Sequence, residues 1–312
     1  MIDNYGRNIN YLRLSVTQRC NLRCAYCGME CEKNEREMTP QDIEKAVSVF
    51  ADLGIRKVRL TGGEPLVRKD IIEIAKRVSS VKGIETVALT TNGVLLEEYA
   101  EPLKKAGVQS VNISLDTMDR EQYKNITGAD CLDKVLAGIK EAEKVGLYPI
   151  RINSVLIKGK NDNALNQLID LGRKNEIDVR FIELMPFSKT GENKKNMVSG
   201  EEILRFYPEL KPVETERNSA AKYYKGENFK GRIGLITPVS HKFCSKCNRI
   251  RLLSDGKIKP CLGDKTEIDI WDKMHNRGEL EKSIKEAILL KPKGHSFFCG
   301  YESDHGLNKI GG

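Results

Sequence analysis

The chain has 312 residues, of which 39% are hydrophobic and 31% charged, so it can form one large α/β barrel or two ordinary domains. No apolar run reaches the length that spans a bilayer, and the polar first ten residues show no secretory segment, so we expect a cytoplasmic protein. The formal net charge of +8 is compatible with an anionic partner such as nucleic acid or a polyphosphate, but it also serves solubility and decides nothing alone.

Short β-rich runs alternate with helical segments through the first part of the chain. Several runs are continuous and apolar, which is typical of parallel strands buried on both faces. We predict strands at 11–16, 57–60, 86–89, 110–115, 149–156 and 178–182. We predict helices at 40–53, 70–80, 97–106, 132–145 and 163–175. Because a closed barrel needs more units, the pattern predicts an α/β fold with a partial, open TIM-type barrel of about six βα units.

The regular alternation ends after Glu183, and a less regular region follows. We therefore divide the chain into a barrel at 1–184 and a C-terminal region at 185–312. Within this second region, the turn-rich and lysine-rich stretch 188–196 predicts a loop. We expect residues 308–312 to be flexible and exposed, as the ends of chains usually are.

Nine cysteines form an odd set, which argues against a simple disulfide framework and favours metal binding or redox chemistry. Cys20, Cys24 and Cys27 directly follow the first predicted strand. Three thiolates on one loop can bind three irons of a [4Fe–4S] cluster and leave the fourth iron open. A zinc knuckle with Cys31 as fourth ligand, or a Cys24–Cys27 redox pair, remains an alternative.

A second group of cysteines lies in the C-terminal region. Two residues separate Cys244 from Cys247, and Cys261 follows them. Half of a zinc ribbon is the ordinary interpretation of such a pair, but a ribbon needs a second pair, and Cys299 is distant in sequence. Three cysteines again favour a cluster with one open iron.

The first group resembles the signature of the radical S-adenosylmethionine (SAM) superfamily. The spacing is Cys-x3-Cys-x2-Cys with Tyr26 before the last cysteine, and one βα unit later stands Gly62-Gly63-Glu64-Pro65, which looks like that family's GGE motif. The resemblance implies that the open iron chelates the amino and carboxylate groups of SAM and that one electron releases a 5′-deoxyadenosyl radical. It also implies that the backbone at the two glycines, together with Glu64, faces the SAM amino group.

The whole chain resembles one family of this superfamily, the GTP 3′,8-cyclases of molybdenum cofactor biosynthesis. The segments that carry the resemblance are 12–17, 89–93, 112–116, 180–185, 243–261 and the final Gly311-Gly312. The resemblance implies two [4Fe–4S] clusters, SAM, and conversion of GTP to 3′,8-cyclo-7,8-dihydroguanosine triphosphate by radical chemistry. It further implies cyclic pyranopterin monophosphate synthase as the user of the product and an electron donor, and it allows a homodimer. No membrane or nucleic-acid partner is expected.

The same resemblance assigns candidate site residues. The residues that match metal ligands are Cys20, Cys24, Cys27, Cys244, Cys247 and Cys261. Those that match SAM contacts are Tyr26, Gly63, Ser114 and Met185. Those that match GTP contacts are Arg13, Arg59, Thr90, Lys158, Arg249 and Arg251. Gly311 and Gly312 match a tail that enters the active site, although the preceding 307–309 is a variant. Cys31, Cys131 and Cys299 match no family ligand and are expected to be ordinary thiols.

Two other functions are compatible with parts of the sequence. A radical SAM peptide maturase with an auxiliary cluster would share the barrel and both cysteine groups, but it leaves Arg249, Arg251 and the Gly-Gly end unexplained. A zinc-ribbon protein that binds nucleic acid would use the positive charge, but it leaves the GGE turn and the barrel pattern unexplained.

Overall fold

The structure is a computed structural model that describes residues 1–28, 36–216, 218–297 and 306–311. The strands are β1 Tyr11–Ser15, β2 Lys57–Thr61, β3 Thr86–Thr91, β4 Ser110–Ser114, β5 Ile150–Val155, β6 Ile177–Ile182, β7 Lys211–Pro212, β8 Lys222–Lys225, β9 Ile233–Ile236, β10 Arg249–Leu252, β11 Lys257–Lys259 and β12 Ile268–Asp269. The α-helices are α1 Pro40–Asp52, α2 Ile71–Ser80, α3 Leu96–Lys105, α4 Arg120–Thr127, α5 Leu132–Lys144, α6 Leu165–Lys174, α7 Lys189–Glu192, α8 Gly200–Phe206, α9 Arg277–Leu289 and α10 Leu307–Ile310.

Strands β1 to β6 form a parallel sheet in chain order, with helices in the connections. This arrangement confirms the predicted α/β fold with an open barrel of six βα units. The alternation along β1 shows how the sequence divides the two faces. Leu12 and Leu14 are fully buried in the hydrophobic core beneath the helices, whereas Tyr11 and Arg13 line the interior cavity of the barrel.

The region after residue 184 completes both edges of this sheet. β10 pairs in parallel with β1 and continues into β11 and β12, whereas β9 pairs in parallel with β6 and continues into β8 and β7. The loop before β10 carries Cys244 and Cys247, and Cys261 follows β11. The edge next to β1 therefore brings the second cysteine group beside the first strand of the barrel.

The sequence also specifies helix ends. Thr39 caps α1 by accepting a hydrogen bond from the Asp42 amide at 3.2 Å, and Pro40 opens the helix. The prediction did not include α4, which has an Asp119 cap at its start and a left-handed Gly128 at its end. The eight residues of α4 contain only a short apolar stripe, so periodicity gave a weak signal there.

Two expectations for the C-terminal region are wrong in part. The stretch 188–196, predicted as a loop, contains α7 and a 3₁₀ turn at Lys194–Asn196. Within 308–312, predicted to be exposed, Asn308, Ile310 and Gly311 are buried, and Gly312 lies outside the described residues. In the part of the chain that the structure describes, no helix combines the length and apolar character needed to cross a membrane.

Candidate active site

The first cysteine group lies on the loop that leaves the C-terminal end of β1. The loop is fixed by main-chain bonds to the end of α4: the Arg23 amide donates to the Thr127 carbonyl at 2.8 Å, and the Ala25 amide donates to the Ile126 carbonyl at 2.9 Å. All three thiols are half-buried. The loop therefore holds three cysteines at the strand end where the catalytic loops of such barrels collect.

The environment of these thiols disfavours the thiolate form in the absence of a bound cation. Burial raises the pKa of Cys20 and Cys24, and it raises the pKa of Cys27 to about 11. Neighbouring thiolates would raise the pKa of Cys24 and Cys27 further. Among the described residues, no three His, Cys, Asp or Glu side chains converge on a single ion position. Three cysteine thiols on one loop are a donor set that can bind three irons of a [4Fe–4S] cluster.

The GGE turn after β2 lies directly against this loop. The Gly63 amide donates to the Thr17 carbonyl at 2.8 Å. A Cβ added at Gly63 would lie 2.5 Å from the carbonyl oxygens of both Gln18 and Arg19, the two residues before Cys20. Gly63 therefore allows close approach of two protein backbones, in addition to any approach by SAM.

Glu64 of the same turn does not face an open site. Its carboxylate is fully buried and accepts hydrogen bonds from the Leu66 amide at 3.0 Å, the Thr91 hydroxyl at 2.8 Å and the Asn92 amide at 2.6 Å. Burial raises its pKa to about 7, although these bonds favour the charged form. These hydrogen bonds join the turn after β2 to the end of β3, and the expected contact between Glu64 and the SAM amino group stays a prediction.

The remaining candidate SAM contacts are spread around the first cysteine loop and the interior. The Tyr26 hydroxyl donates to the Asp116 carboxylate at 2.7 Å, just beyond β4. Ser114 is half-buried at the end of that strand. Met185 follows β6, lines the interior cavity and packs against a small apolar cluster that includes Ile310.

A cavity of about 570 Å³ occupies the barrel interior and meets the second cysteine group. Cys244, Cys247 and Cys261 form part of its wall. The rest of the wall is strongly basic, and its basic residues include Arg13, Lys57, Arg59, Arg151, Arg180, Arg249, Arg251 and Lys291. Two carboxylates, those of Glu85 and Glu216, also line the cavity, and both residues are exposed. The positive charge of this wall favours the binding of an anion.

Burial makes this positive charge costly for the protein alone. Burial, with the charge of Arg249, lowers the pKa of Arg251 to about 10, and burial lowers the pKa of Arg180 to about 10 as well. The pKa of Arg13 falls well below its usual value, chiefly through burial and then through repulsion from Arg251. A polyanion in the cavity would relieve both effects.

The second cysteine group has a basic setting, unlike the first. Burial alone would raise the pKa of Cys247, but the charges of Lys291 and Arg249 lower it overall. The buried Lys291 ammonium donates to the Arg249 carbonyl at 2.8 Å and to the Pro260 carbonyl at 2.7 Å, which ties β10 to the segment before Cys261. Three thiols that share a cavity wall near fixed positive charge suit an anionic cluster.

The structure brings four of the six candidate GTP residues together at the cavity, and Lys158 and Thr90 are not among its lining residues. Arg13, Arg59, Arg249 and Arg251 line the cavity, whereas Lys158 does not. Lys158 lies beyond the end of β5, its side chain is 58% exposed, and its ammonium is 3.7 Å from the Glu202 carboxylate. The Thr90 hydroxyl is buried and has no hydrogen-bond partner within the described part of the chain.

Sequence reasoning missed several basic residues of the cavity: Lys57, Arg151, Arg180 and Lys291. For three of them a signal was available. Lys57, Arg151 and Arg180 stand at alternating positions within predicted strands, where a charged residue must face either solvent or the barrel interior. Lys291 lies just after α9, and nothing in its sequence context indicated burial.

The chain segment 306–311 runs from the first cysteine loop to Arg13 and Arg251 of the cavity wall. The Leu307 amide donates to the Cys27 carbonyl at 2.9 Å. At the other end, the Gly311 carbonyl accepts from Arg251 at 2.5 Å and from Arg13 at 3.2 Å. Gly311 has a left-handed φ of +68°, and an added Cβ would lie 2.8 Å from Cγ2 of Thr61. Glycine is therefore the residue that this position accommodates.

Comparisons with known proteins agree with this geometry. The Radical SAM superfamily model matches residues 14–172, and the Molybdenum Cofactor Synthesis C model matches residues 177–297. A protein of Alkaliphilus oremlandii named GTP 3′,8-cyclase is 46% identical, and the alignment covers 100% of both chains. A protein of Peptoclostridium acidaminophilum with the same name is 44% identical over 100% of this chain and 98% of its own.

Solved structures share the fold at low sequence identity. Streptococcus suis SuiB bound to S-adenosylmethionine superposes with a TM-score of 0.66 at 19% identity, covering 85% of this chain and 64% of that longer chain. The structure titled native anSMEcpe with bound AdoMet gives a TM-score of 0.59 at 16% identity, covering 92% of this chain and 82% of its own. Radical SAM domains hold a [4Fe–4S] cluster and SAM. The chain belongs to the radical SAM superfamily and, within it, to the GTP 3′,8-cyclase family.

Proposed function

We propose that this chain converts GTP to 3′,8-cyclo-7,8-dihydroguanosine triphosphate, the first step of molybdenum cofactor biosynthesis. The interior cavity is the observation that supports the proposal. Four candidate arginines and the three cysteines of the second group line it together. A triphosphate carries negative charge that these arginines can bind. The cavity volume of about 570 Å³ is within the usual range of small-molecule sites.

Each group of residues has a separate part in the proposal. Cys20, Cys24 and Cys27 would hold the SAM-binding [4Fe–4S] cluster, with Tyr26, Gly63, Ser114 and Met185 around SAM. The bound cluster and SAM would supply the 5′-deoxyadenosyl radical that removes hydrogen from C3′ of GTP. The protein's contribution is to hold C3′ near SAM and C8 near C3′, and to exclude water.

The arginines would bind the triphosphate. Arg13, Arg59, Arg249 and Arg251 are the resemblance-based candidates, and Thr90 offers a buried hydroxyl. We add Arg151 in place of Lys158, because Arg151 faces the cavity from β5. Arginine suits bidentate contacts with phosphate oxygens.

A second [4Fe–4S] cluster on Cys244, Cys247 and Cys261 would bind the guanine ring through its open iron. The support is the position of these three thiols on the cavity wall that the arginines share. The Gly311-Gly312 tail would complete the site, since the Gly311 carbonyl already contacts Arg251. Gly312 itself lies outside the described residues.

The proposal extends to partners and domains. Cyclic pyranopterin monophosphate synthase would use the product, a separate protein would donate electrons, and a homodimer is the proposed assembly. We also keep the division at 1–184 and 185–312, supported by family matches that change over between 172 and 177 and by β6, which ends at Ile182. The two regions share one sheet, so they are parts of a single fold.

Anaerobic turnover of the reconstituted protein with SAM, reductant and GTP tests the proposal, with 5′-deoxyadenosine and cyclised nucleotide measured separately. Cys24→Ala should abolish both products and halve the iron content, since one of two clusters is lost. Cys261→Ala should abolish the cyclised nucleotide but retain some 5′-deoxyadenosine. Cys131→Ala, a half-buried cysteine outside both groups, is the matched control and should behave as wild type.

Other results would contradict parts of the proposal. Purified protein that contains zinc without iron or sulfide would contradict both cluster assignments. SAM cleavage at the wild-type rate by Cys24→Ala would contradict the assignment of the first cluster. Guanosine that binds as tightly as GTP would show that the arginines do not bind the triphosphate. If GTP leaves the magnetic spectrum of the second cluster unchanged, its open iron does not bind guanine.

A further inference from the structure

The second cysteine group lies close to the protein surface at one point. Gly294 is exposed, and a Cβ added to it would lie 3.6 Å from the Cys244 sulfur. A glycine backbone without a side chain therefore covers this sulfur. An electron could enter the group here without crossing a layer of packed side chains.

The two chain segments that border this point are rich in lysine. The two segments that border it, 241–247 and 289–297, contain four lysines and no Asp or Glu. Lys242, Lys246 and Lys293 are exposed, and the Lys242 ammonium reaches the His295 carbonyl at 3.3 Å. The lysines are therefore not neutralised by acidic residues of their own segments.

Apolar side chains adjoin the lysines. Tyr5 is 52% exposed and Leu290 is 50% exposed. Arg7 fixes the arrangement from below: its guanidinium lies 5.2 Å from the centre of the Tyr5 ring and donates to the Cys244 carbonyl at 3.0 Å. We call this surface the Cys244 face, and we define it by Tyr5, Lys242, Lys246, Leu290, Lys293 and Gly294.

The proposed reaction needs electrons from outside. Cleavage of SAM takes one electron and yields methionine and the adenosyl radical, which leaves with the hydrogen of C3′ as 5′-deoxyadenosine. After the C3′–C8 bond forms, N7 gains one electron and one proton, so the product is an isomer of GTP. Each turnover therefore consumes two electrons and one proton, and a one-electron carrier must dock somewhere on the protein.

We propose that the Cys244 face docks a small acidic electron-carrier protein of the flavodoxin type. This inference rests on the proposed second cluster. With a cluster held by Cys244, Cys247 and Cys261, one electron would pass from the anionic flavin hydroquinone of the carrier, which becomes the neutral semiquinone, to that cluster, and would supply the electron that N7 gains. The lysines attract the acidic carrier, and Tyr5 and Leu290 provide a small apolar centre, a combination that suits transient redox complexes.

Stopped-flow reduction tests the proposal with purified flavodoxin hydroquinone as the probe. The Cys24→Ala background retains the second cluster alone, so bleaching of the iron–sulfur absorption and the magnetic spectrum report on that cluster only. In this background, Lys242→Glu/Lys293→Glu should lower the second-order rate constant at low salt by about tenfold or more and weaken its salt dependence. Lys76→Glu/Lys134→Glu makes the same charge change on exposed positions of α2 and α5 and should have no such effect.

Dithionite separates this inference from the proposed function. With this small reductant, protein with the Lys242→Glu/Lys293→Glu change in an otherwise wild-type chain should cyclise GTP normally. Loss of cyclisation by the wild-type protein with dithionite would overturn the proposed function and not the docking face. Equal flavodoxin rates in the two charge variants would overturn the docking face. The docking face would also be overturned if Lys242→Glu/Lys293→Glu changed the oligomeric state of the protein and left the rate of reduction by flavodoxin unchanged. The face would then bind a second copy of the chain.

Discussion

At the scale of single residues, position within a strand decides which basic side chains reach the cavity. Arg151 occupies an inward position of β5, and its guanidinium lies 3.7 Å from the Asp178 carboxylate. Lys158 stands three residues past the end of that strand and pairs with Glu202 on the surface. Both are cations on one segment, yet only Arg151 belongs to the cavity wall as the structure describes it.

We expect Arg151→Ala to weaken GTP binding by about 10- to 150-fold, the value of one lost charge-assisted hydrogen bond of about 1.5–3 kcal/mol. Lys158→Ala should leave the Kd within about twofold, because an exposed ion pair contributes little. Isothermal titration of GTP into both variants measures this difference. A Kd that rises with Lys158→Ala and not with Arg151→Ala would show that the resemblance located the residue better than the structure does.

Residue types were easier to predict from the sequence than residue partners. The cysteines and arginines were identified because their chemistry and spacing are specific. The sequence assigned Glu64 to SAM, but in the structure its carboxylate accepts hydrogen bonds from Leu66, Thr91 and Asn92. These donors belong to the GGE turn and the end of the next strand, and the pairing of β2 with β3 that brings them together is not visible in a local motif.

At the scale of elements, the GGE turn supports the first cysteine loop. The sequence predicted the strands and most helices because their apolar patterns are long, but it could not show that this turn presses on the loop before Cys20. This contact changes the expected result of a substitution. If Gly63 served only the approach to SAM, a side chain there would weaken SAM binding and spare both clusters, whereas the structure places that side chain against the cysteine loop.

We therefore expect Gly63→Ala to reduce occupancy of the first cluster itself, because its Cβ would lie 2.5 Å from two carbonyl oxygens and the cysteine loop must move. Iron and sulfide content and the absorption spectrum after reconstitution measure the occupancy. Gly278→Ala on α9 is the control, since its Cβ would meet no heavy atom closer than 3.5 Å. Full iron content with weakened SAM binding in Gly63→Ala would instead support the role drawn from the sequence.

At the scale of the whole molecule, segment 306–311 connects the two cysteine regions. It bonds to the Cys27 carbonyl at one end and to Arg251 at the other. Its apolar residue Ile310 is 1% exposed and packs with Phe187, Leu253 and Phe297. The sequence suggested a frayed end because glycine and terminal position both favour flexibility, and it offered no measure of this burial.

Removal of Gly311 and Gly312 should severely slow cyclisation while iron content, SAM binding and thermal stability change little, because Ile310 and its apolar contacts remain. Gly311→Ala should slow cyclisation as well, since the residue has a left-handed φ and a crowded Cβ position. Gly146→Ala is the matched control: it has a similar φ of +76°, but the nearest atom to its Cβ is 3.9 Å away. Wild-type turnover by the truncated protein would leave this segment with a packing role only.

The pairing of β1 with β10 and of β6 with β9 has a consequence for biosynthesis. The outer strands of the six-stranded parallel sheet, β1 and β6, pair with strands that the ribosome synthesises later. Tyr11 of β1 pairs with Arg249, and Val179 of β6 pairs with Ile233. Until then the nascent sheet presents two open edges, which are templates for pairing with other chains. Such long-range contacts also slow folding. We therefore expect a chain that stops near residue 184 to aggregate, because both edges of its sheet would stay unpaired.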